Sequence, residues 1–312
     1  MESIHSLEIE SHPSLHNQSN SNSSLLFYQI LEIYTKLERE FLKYFTNIDI
    51  KLNIEKAFEI FNYHFDVDNN ILNKFIDTGI RKYKNVSYHN ATHALNTLST
   101  GSVYLKYLGK HRIRSDHKFL FLVCCYLHDI GHPGLTEYRT KSLEFETYHI
   151  NLVKDLIIKY FKELSTDDDF SLIEELIFST NLLNHESILT NFKDKYFKLN
   201  NGGDYEQKDE YCVADKEIGL IELKVLIKLA DISASYKKFE TFIKGSELLE
   251  KEIFGNAAVR NPNKLEEDLN FLRSFAIPLA EAFSDIFTDF RFLYENGMRN
   301  LKRLEDLINL KQ

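Results

Sequence analysis

The chain has 312 residues, 43% of them hydrophobic and 27% charged, with a formal net charge of −9. That length can bury a substantial core, and the acidic balance leaves no basic stripe for a nucleic acid or another polyanion. Only four prolines and eleven glycines interrupt it, which favours an all-α fold. The three cysteines, Cys124, Cys125 and Cys212, form neither a CxxC pair nor an even-numbered framework. No apolar run approaches the ~20 residues that span a bilayer, and MESIHSLEIESH does not read as a signal peptide. The expected setting is the reducing cytoplasm, without a membrane span.

In chain order, residues 1–24 end in the polar NQSNSNSS and are expected to form a disordered tail. The body, residues 25–312, opens on Leu26, Ile30, Ile33, Leu37, Phe41 and Tyr44, whose spacing predicts an amphipathic helix. The same period runs through IEKAFEIFNYHF, ATHALNTLSTGSVYLKYL, HKFLFLVCCYLHDI, YHINLVKDLIIKYFKEL, SLIEELIFSTNLLNH and IELKVLIKLADISASYKKFETFI, and through a long segment from Lys264 onward. STDDDFS at Ser165–Ser171 supplies an N-cap and first-turn carboxylates for a helix. LNNGGDYEQKDE, around Asn200–Glu210, reads as a polar loop, and in GNAAVRNPN Pro262 suits a helix start. With no internal repeat and no long linker, the body is expected to be one helical domain.

Two histidines and a carboxylate end the most apolar of these helices, in CCYLHDIGHPG. Adjacent helical residues point about 100° apart, so His128 and Asp129 can share one ion only at a helix end. YHNATH sets His89 and His93 at i and i+4, on one face if that stretch is helical. KLADIS sets Asp231 in an otherwise apolar helix, where a carboxylate is costly to bury without a cation or several donors. Each piece alone has an ordinary explanation: a polar helix end, an exposed histidine face, or an acid bonded to backbone or to Lys228. Together, two histidines and two aspartates make a ligand set for a borderline metal such as zinc, with carboxylate oxygens left for a second, harder ion.

The order YHNxxHA, HDxxHPG, TxxxxH and KxADIS resembles the catalytic domain of the class I cyclic nucleotide phosphodiesterases, within the wider HD-domain phosphohydrolases. The likeness runs from about Leu26 to the C-terminus. It implies a compact multi-helix single domain that hydrolyses 3′,5′-cyclic nucleotides, cAMP or cGMP, to nucleoside 5′-monophosphates. By the resemblance, His93, His128, Asp129 and Asp231 hold the tighter ion, zinc, and Asp129 bridges to magnesium or manganese. His89 matches the acid that protonates the leaving 3′ oxygen. His132, Glu146, His149 and Thr180 match groups around the metal waters. Tyr88, Leu182, Ile232, Asp268 and Phe271 are placed around a cyclic purine nucleotide. A homodimer is compatible with the family.

Several positions depart from the family pattern. Gly131 stands where aspartate is common and Glu137 where asparagine is usual, and the stretch from Gly134 to Glu146 is shorter. Asn181 and Leu182 replace an Asp-Met pair, and Ala234 and Ser235 replace Asn-Pro. Asp268 takes the place of a purine-binding glutamine three residues before Phe271. An ionised carboxylate only accepts, from guanine N1–H and N2–H2 or from the adenine amino group, with a lean to guanine. Alternative readings are an HD hydrolase of another phosphoester, or a catalytically weak nucleotide-binding homologue.

Overall fold

A computed structural model describes residues 49–109, 111, 113–138, 142–201, 218–255 and 261–310. The tail over 1–24, the helix expected from Leu26, the side chain of Glu137 and most of the loop around Asn200–Glu210 lie outside the described residues. Among those described, every regular element is helical.

Helix α1 (Ile50–His64) and α2 (Asn69–Ile80) are capped by the carboxylates of Asp49 and Asp68, which accept from first-turn amides. Helix α3 (Ala91–Tyr107) follows, then α4 (Ser115–Leu127), a short α5 (Leu135–Tyr138) and α6 (Ser142–Tyr160). The expected cap in STDDDFS is present: Thr166 and Asp169 form a reciprocal capping box at the start of α7 (Asp167–Thr180). Beyond it come α8 (His185–Asn201), α9 (Leu220–Asp231) and α10 (Phe239–Phe254).

The long C-terminal segment divides into α11 (Lys264–Phe271), α12 (Ile277–Ile286) and α13 (Arg291–Asn309). Pro262 lies in the turn ahead of α11. A π-helical turn over Leu272–Ala276 joins α11 to α12. Pro278 has no N–H to give the carbonyl four residues back, so the regular ladder cannot pass this point unbroken. The hydroxyl of Tyr236 donates to the Ala276 carbonyl at 2.8 Å, giving that turn a tertiary partner.

Helices α3, α4, α7 and α9 pack together at the centre. In α4 every residue from Phe119 to Leu127 is buried, so the helix is apolar on all sides, as its sequence requires. The core extends around it as one continuous cluster. What positions the site is that α3 begins, and α4 and α9 end, at the same edge of this core.

Candidate metal centre and adjoining cleft

The side chain of Asn90 caps α3, accepting from Thr92 N at 2.8 Å and His93 N at 3.3 Å. His93 therefore sits in the first turn, while His89 precedes the cap and lies in a bend. The i, i+4 helical pairing of these two histidines is not formed, yet their rings are still 5.8 Å apart. His128 is the C-cap of α4, and Asp231 ends α9.

These termini converge. His93 Nε2 lies 3.0 Å from Asp231 Oδ1, 3.2 Å from His128 Nε2 and 3.5 Å from Asp129 Oδ2. His128 Nε2 lies 3.1 Å from Asp129 Oδ2 and 3.2 Å from Asp231 Oδ1. Ligands ~2.0–2.1 Å from a tetrahedral ion stand about 3.3 Å from one another, which is the spacing of this set. Two imidazoles and two carboxylates with nearly coincident donor atoms fit a borderline divalent metal.

The electrostatics agree. Burial alone would lower the pKa of His128, but Asp129 and Asp231 outweigh it and raise it well above the ordinary range. Burial would likewise push the Asp129 carboxyl up, and His128 and His89 instead hold it well below the usual carboxylate range. A cation placed there would take over the role of those imidazolium charges.

A second layer lies beside the first. His132 is buried, its ring stacked 4.2 Å from that of His89, and its Nδ1 accepts from Gly134 N. Burial, then the neighbouring His89, lowers its pKa to about 3, so it is neutral. His149 Nδ1 donates to the Ile130 carbonyl at 2.7 Å, leaving Nε2 as a buried acceptor with no partner among the described residues. An orphaned acceptor at this place fits metal-held water. Glu146 is buried and accepts from Asn181 Nδ2 at 3.3 Å, and Thr180 ends α7 nearby in the chain. These residues offer oxygen and nitrogen acceptors for a harder ion's water shell.

One further residue enters that the motifs do not reveal. Glu252, in the last turn of α10 with its side chain 3% exposed, faces His89. Its carboxylate accepts from His89 Nδ1 at 2.6 Å and from the backbone N–H groups of Tyr88, His89 and Leu135. These bonds and His89, working against burial, lower its pKa to about 2. Burial also works against the His89 imidazolium, but Asp129 and Glu252 together raise its pKa above the ordinary value. Glu252 lies four residues after Leu248 on the apolar stripe of α10, the only local signal that it points inward.

A cleft of about 250 Å³ adjoins the cluster, with Tyr88, Ile232, Asp268 and Phe271 in its lining. Leu182, 45% exposed on the turn after α7, is not part of that lining. Asp268 is buried in the cleft wall, bonded to Ser246 and Lys264. Burial raises its carboxyl pKa, and those two partners act in the opposite direction.

Gly131 has φ +79°, a left-handed conformation, and a Cβ there would come within 2.8 Å of the Tyr148 ring. The absence of an aspartate at this place thus has a local cause. Cys124 and Cys125 are free and buried, and burial raises both thiols. No helix among the described residues is long and apolar enough to cross a membrane.

Residues 88–297 match the family described as 3′5′-cyclic nucleotide phosphodiesterase, more than half of the chain. A cGMP-specific 3′,5′-cyclic phosphodiesterase gamma of Plasmodium yoelii is 25% identical over 244 residues, 66% of this chain and 29% of that protein. A cGMP-specific 3′,5′-cyclic phosphodiesterase of Drosophila melanogaster is 23% identical over 283 residues, 78% of this chain and 24% of that protein. The chain thus spans only 24–29% of the length of these two curated relatives. Among solved structures, the phosphodiesterase domain of a rhodopsin phosphodiesterase from Salpingoeca rosetta aligns with a TM-score of 0.70. It is 18% identical and covers 85% of this chain and 90% of that one.

Proposed function

The chain belongs to the 3′5′-cyclic nucleotide phosphodiesterase family, and from that premise we propose that it hydrolyses 3′,5′-cyclic nucleotides to nucleoside 5′-monophosphates. The observation that carries this reading is the convergence of His93, His128, Asp129 and Asp231 at 3.0–3.5 Å beside the His89–Glu252 pair. We assign the tighter ion, zinc, to those four ligands. Asp129 would also help to hold a second ion, magnesium or manganese, with His132, His149, Glu146 and Thr180 as the groups that would accept from its water. Bound divalent ions supply neutralisation of the phosphodiester charge and water of lowered pKa.

The protein's own part is proton management and orientation. Leaving as an alkoxide is costly for the 3′ oxygen, so it needs a positioned acid. Glu252 accepts from His89 Nδ1, which fixes the ring and turns Nε2 away from Glu252. The Nε2 proton passes to the departing oxygen as its bond to phosphorus breaks, and the other proton stays on Nδ1, donated to Glu252, so the ring becomes neutral. Glu252 is thus a positioning residue that also favours the charged acid. His132 stacks on His89 as a neutral ring and adds no competing charge. The cleft lined by Tyr88, Ile232 and Phe271 would receive the nucleoside. Its two buried free thiols fit the reducing cytoplasm, where we place it.

The test is hydrolysis of cyclic nucleotides by protein supplied with zinc and magnesium or manganese, beside His89→Ala with metal content measured on both. The variant is expected to keep its metal and lose ~10²–10⁴-fold in kcat. Intact substrate after incubation with metal-loaded wild type would overturn the reading.

A further inference from the structure

A second cavity, of about 390 Å³, shares no lining residue with the cleft beside the metal cluster. The connection between α9 and α10 divides between the two. Ala234 and Ser235 line the cleft, and Tyr236, Lys237 and Lys238 line the cavity. The other wall is a stripe of α13, where Phe292, Asn296, Arg299 and Arg303 follow one another at three- and four-residue steps. Two amides fix this frame. Asn296 Nδ2 donates to the Tyr236 carbonyl at 3.0 Å, and Asn300 Nδ2 donates to those of Ser235 and Lys237 at 2.9 and 3.0 Å.

Positive charge gathers here against the trend of the chain. The lining holds four cations, Lys237, Lys238, Arg299 and Arg303, and one acid, Glu240, in a chain of formal charge −9. Lys237 is buried and donates to Asn96 Oδ1 in α3, so its charge is fixed in place. The other three cations are exposed. Arg303 donates from Nη1 to Glu240 at 3.2 Å, and its guanidinium lies 4.3 Å from the centre of the Phe239 ring. Arg299 donates from Nη1 to Asn296 Oδ1 at 2.8 Å, with Glu295 at 3.6 Å from Nη2. Each guanidinium has five N–H groups, and among the described residues neither holds a carboxylate with two hydrogen bonds. Lys238 is the N-cap of α10, and its side chain makes no capping bond. Because Lys238, Phe239 and Glu240 all line the cavity, the positive end of that helix faces it too.

Two guanidinium forks one helical turn apart, with an ammonium across from them, suit the successive anionic groups of a polyphosphate. Phe239, Phe292 and Tyr236 add flat apolar surface beside the charges, on which a planar organic group can rest. The overall acidity of the chain opposes a polymeric anion and leaves a small one as the ligand.

We propose that this cavity binds a small organic polyphosphate of nucleotide size, whose phosphates are held by Arg299, Arg303 and Lys238. Glu240 is the exposed counter-ion that the phosphate displaces from Arg303. The site is separate from the metal centre, and the proposal stands apart from the cyclic nucleotide reading given above.

The experiment is calorimetric titration of the metal-loaded full chain with ATP in the presence of magnesium, beside inorganic pyrophosphate and citrate. ATP is expected to saturate one site with a Kd below about 1 mM. Pyrophosphate should bind several-fold more weakly for want of the planar group, and citrate more weakly still. The double variant Arg299→Gln with Arg303→Gln, checked for a native melting transition, should lose about 30-fold or more in affinity. Lys238→Gln, at an exposed position, should lose about fivefold. Glu240→Gln removes the competing acid and should tighten ATP several-fold, a gain that a merely structural role would not produce. Asp231→Asn, which disturbs the metal centre, should leave the affinity within about twofold. Absence of saturable ATP binding overturns the proposal, as does binding undiminished in both the double variant and Lys238→Gln. Binding lost in Asp231→Asn would place the ATP at the metal centre and overturn it as well. Citrate binding as tightly as ATP would overturn the assignment to phosphate.

Discussion

His89 is held by a carboxylate that donates nothing and accepts four times, from one ring nitrogen and three backbone amides. Such a group both orients the imidazole and raises its pKa, two effects that one substitution can separate. Glu252→Gln keeps the size and an accepting oxygen but removes the charge. The sign follows directly: Glu252 raises the His89 pKa, His89 in its proposed role as acid works only when protonated, and so losing the charge makes it titrate earlier. The alkaline limb of the kcat profile is expected to move to lower pH by on the order of one unit. The rate at its optimum should fall roughly ten- to a hundredfold. A variant with lower activity but an unmoved alkaline limb would make Glu252 structural only. Residues of this kind are hard to find in sequence. GSELLEKEIF offers three acids in one turn and a half of helix, and the partner of Glu252 lies 163 residues away. His128, Asp129 and Asp231 were legible for the opposite reason, because each interrupts an apolar run.

At the scale of elements, the site depends on how helices end. Helix α7 stops at Thr180, and its last carbonyls would face the core without donors. Lys228, from the last turn of α9 and only 2% exposed, donates to the carbonyls of Ser179, Thr180 and Asn181 at 2.7, 3.4 and 3.2 Å. Burial lowers its ammonium pKa to about 8, against the pull of Asp231 and Glu146, so at neutral pH it still arrives charged. This answers the sequence-level question of what Lys228 pairs with: it closes a helix end and leaves Asp231 to the histidines. Lys228→Met preserves the stem and removes the donor. With buried carbonyls left unpaired, the variant is expected to lose at least ~2 kcal/mol in urea unfolding. An unfolding midpoint equal to that of wild type would show that water or a neighbouring group can replace the cap. Helix existence was readable from the 3.6-residue period. The π turn after Phe271 was not, because it reflects Pro278 and a bond from Tyr236 that no local pattern encodes.

For the whole molecule, the four proposed ligands tie together parts of the chain that the sequence holds far apart. His93 begins α3, His128 and Asp129 follow α4, and Asp231 ends α9. Motif order made these residues legible, but their meeting required the central packing of α3, α4 and α9, which depends on the full apolar surface of each helix. The ion pair in the cleft wall was less legible, since Lys264 looks like an ordinary first-turn cation until Ser246 and Asp268 are placed beside it. An ion that binds only the assembled termini stabilises the folded state by mass action. At ~1,000-fold excess over its dissociation constant the gain is about 4 kcal/mol. In a chain of this size that corresponds to a melting shift on the order of 10 °C. Chelation should therefore lower the melting temperature by that amount, and returning zinc should restore it. Asp231→Asn, which removes one anionic side chain of the proposed ligand set, should shrink the difference between chelated and zinc-loaded protein several-fold. A wild-type protein that melts at the same temperature with chelator as with zinc, and carries no zinc by elemental analysis, would mean that the four side chains gather for another reason.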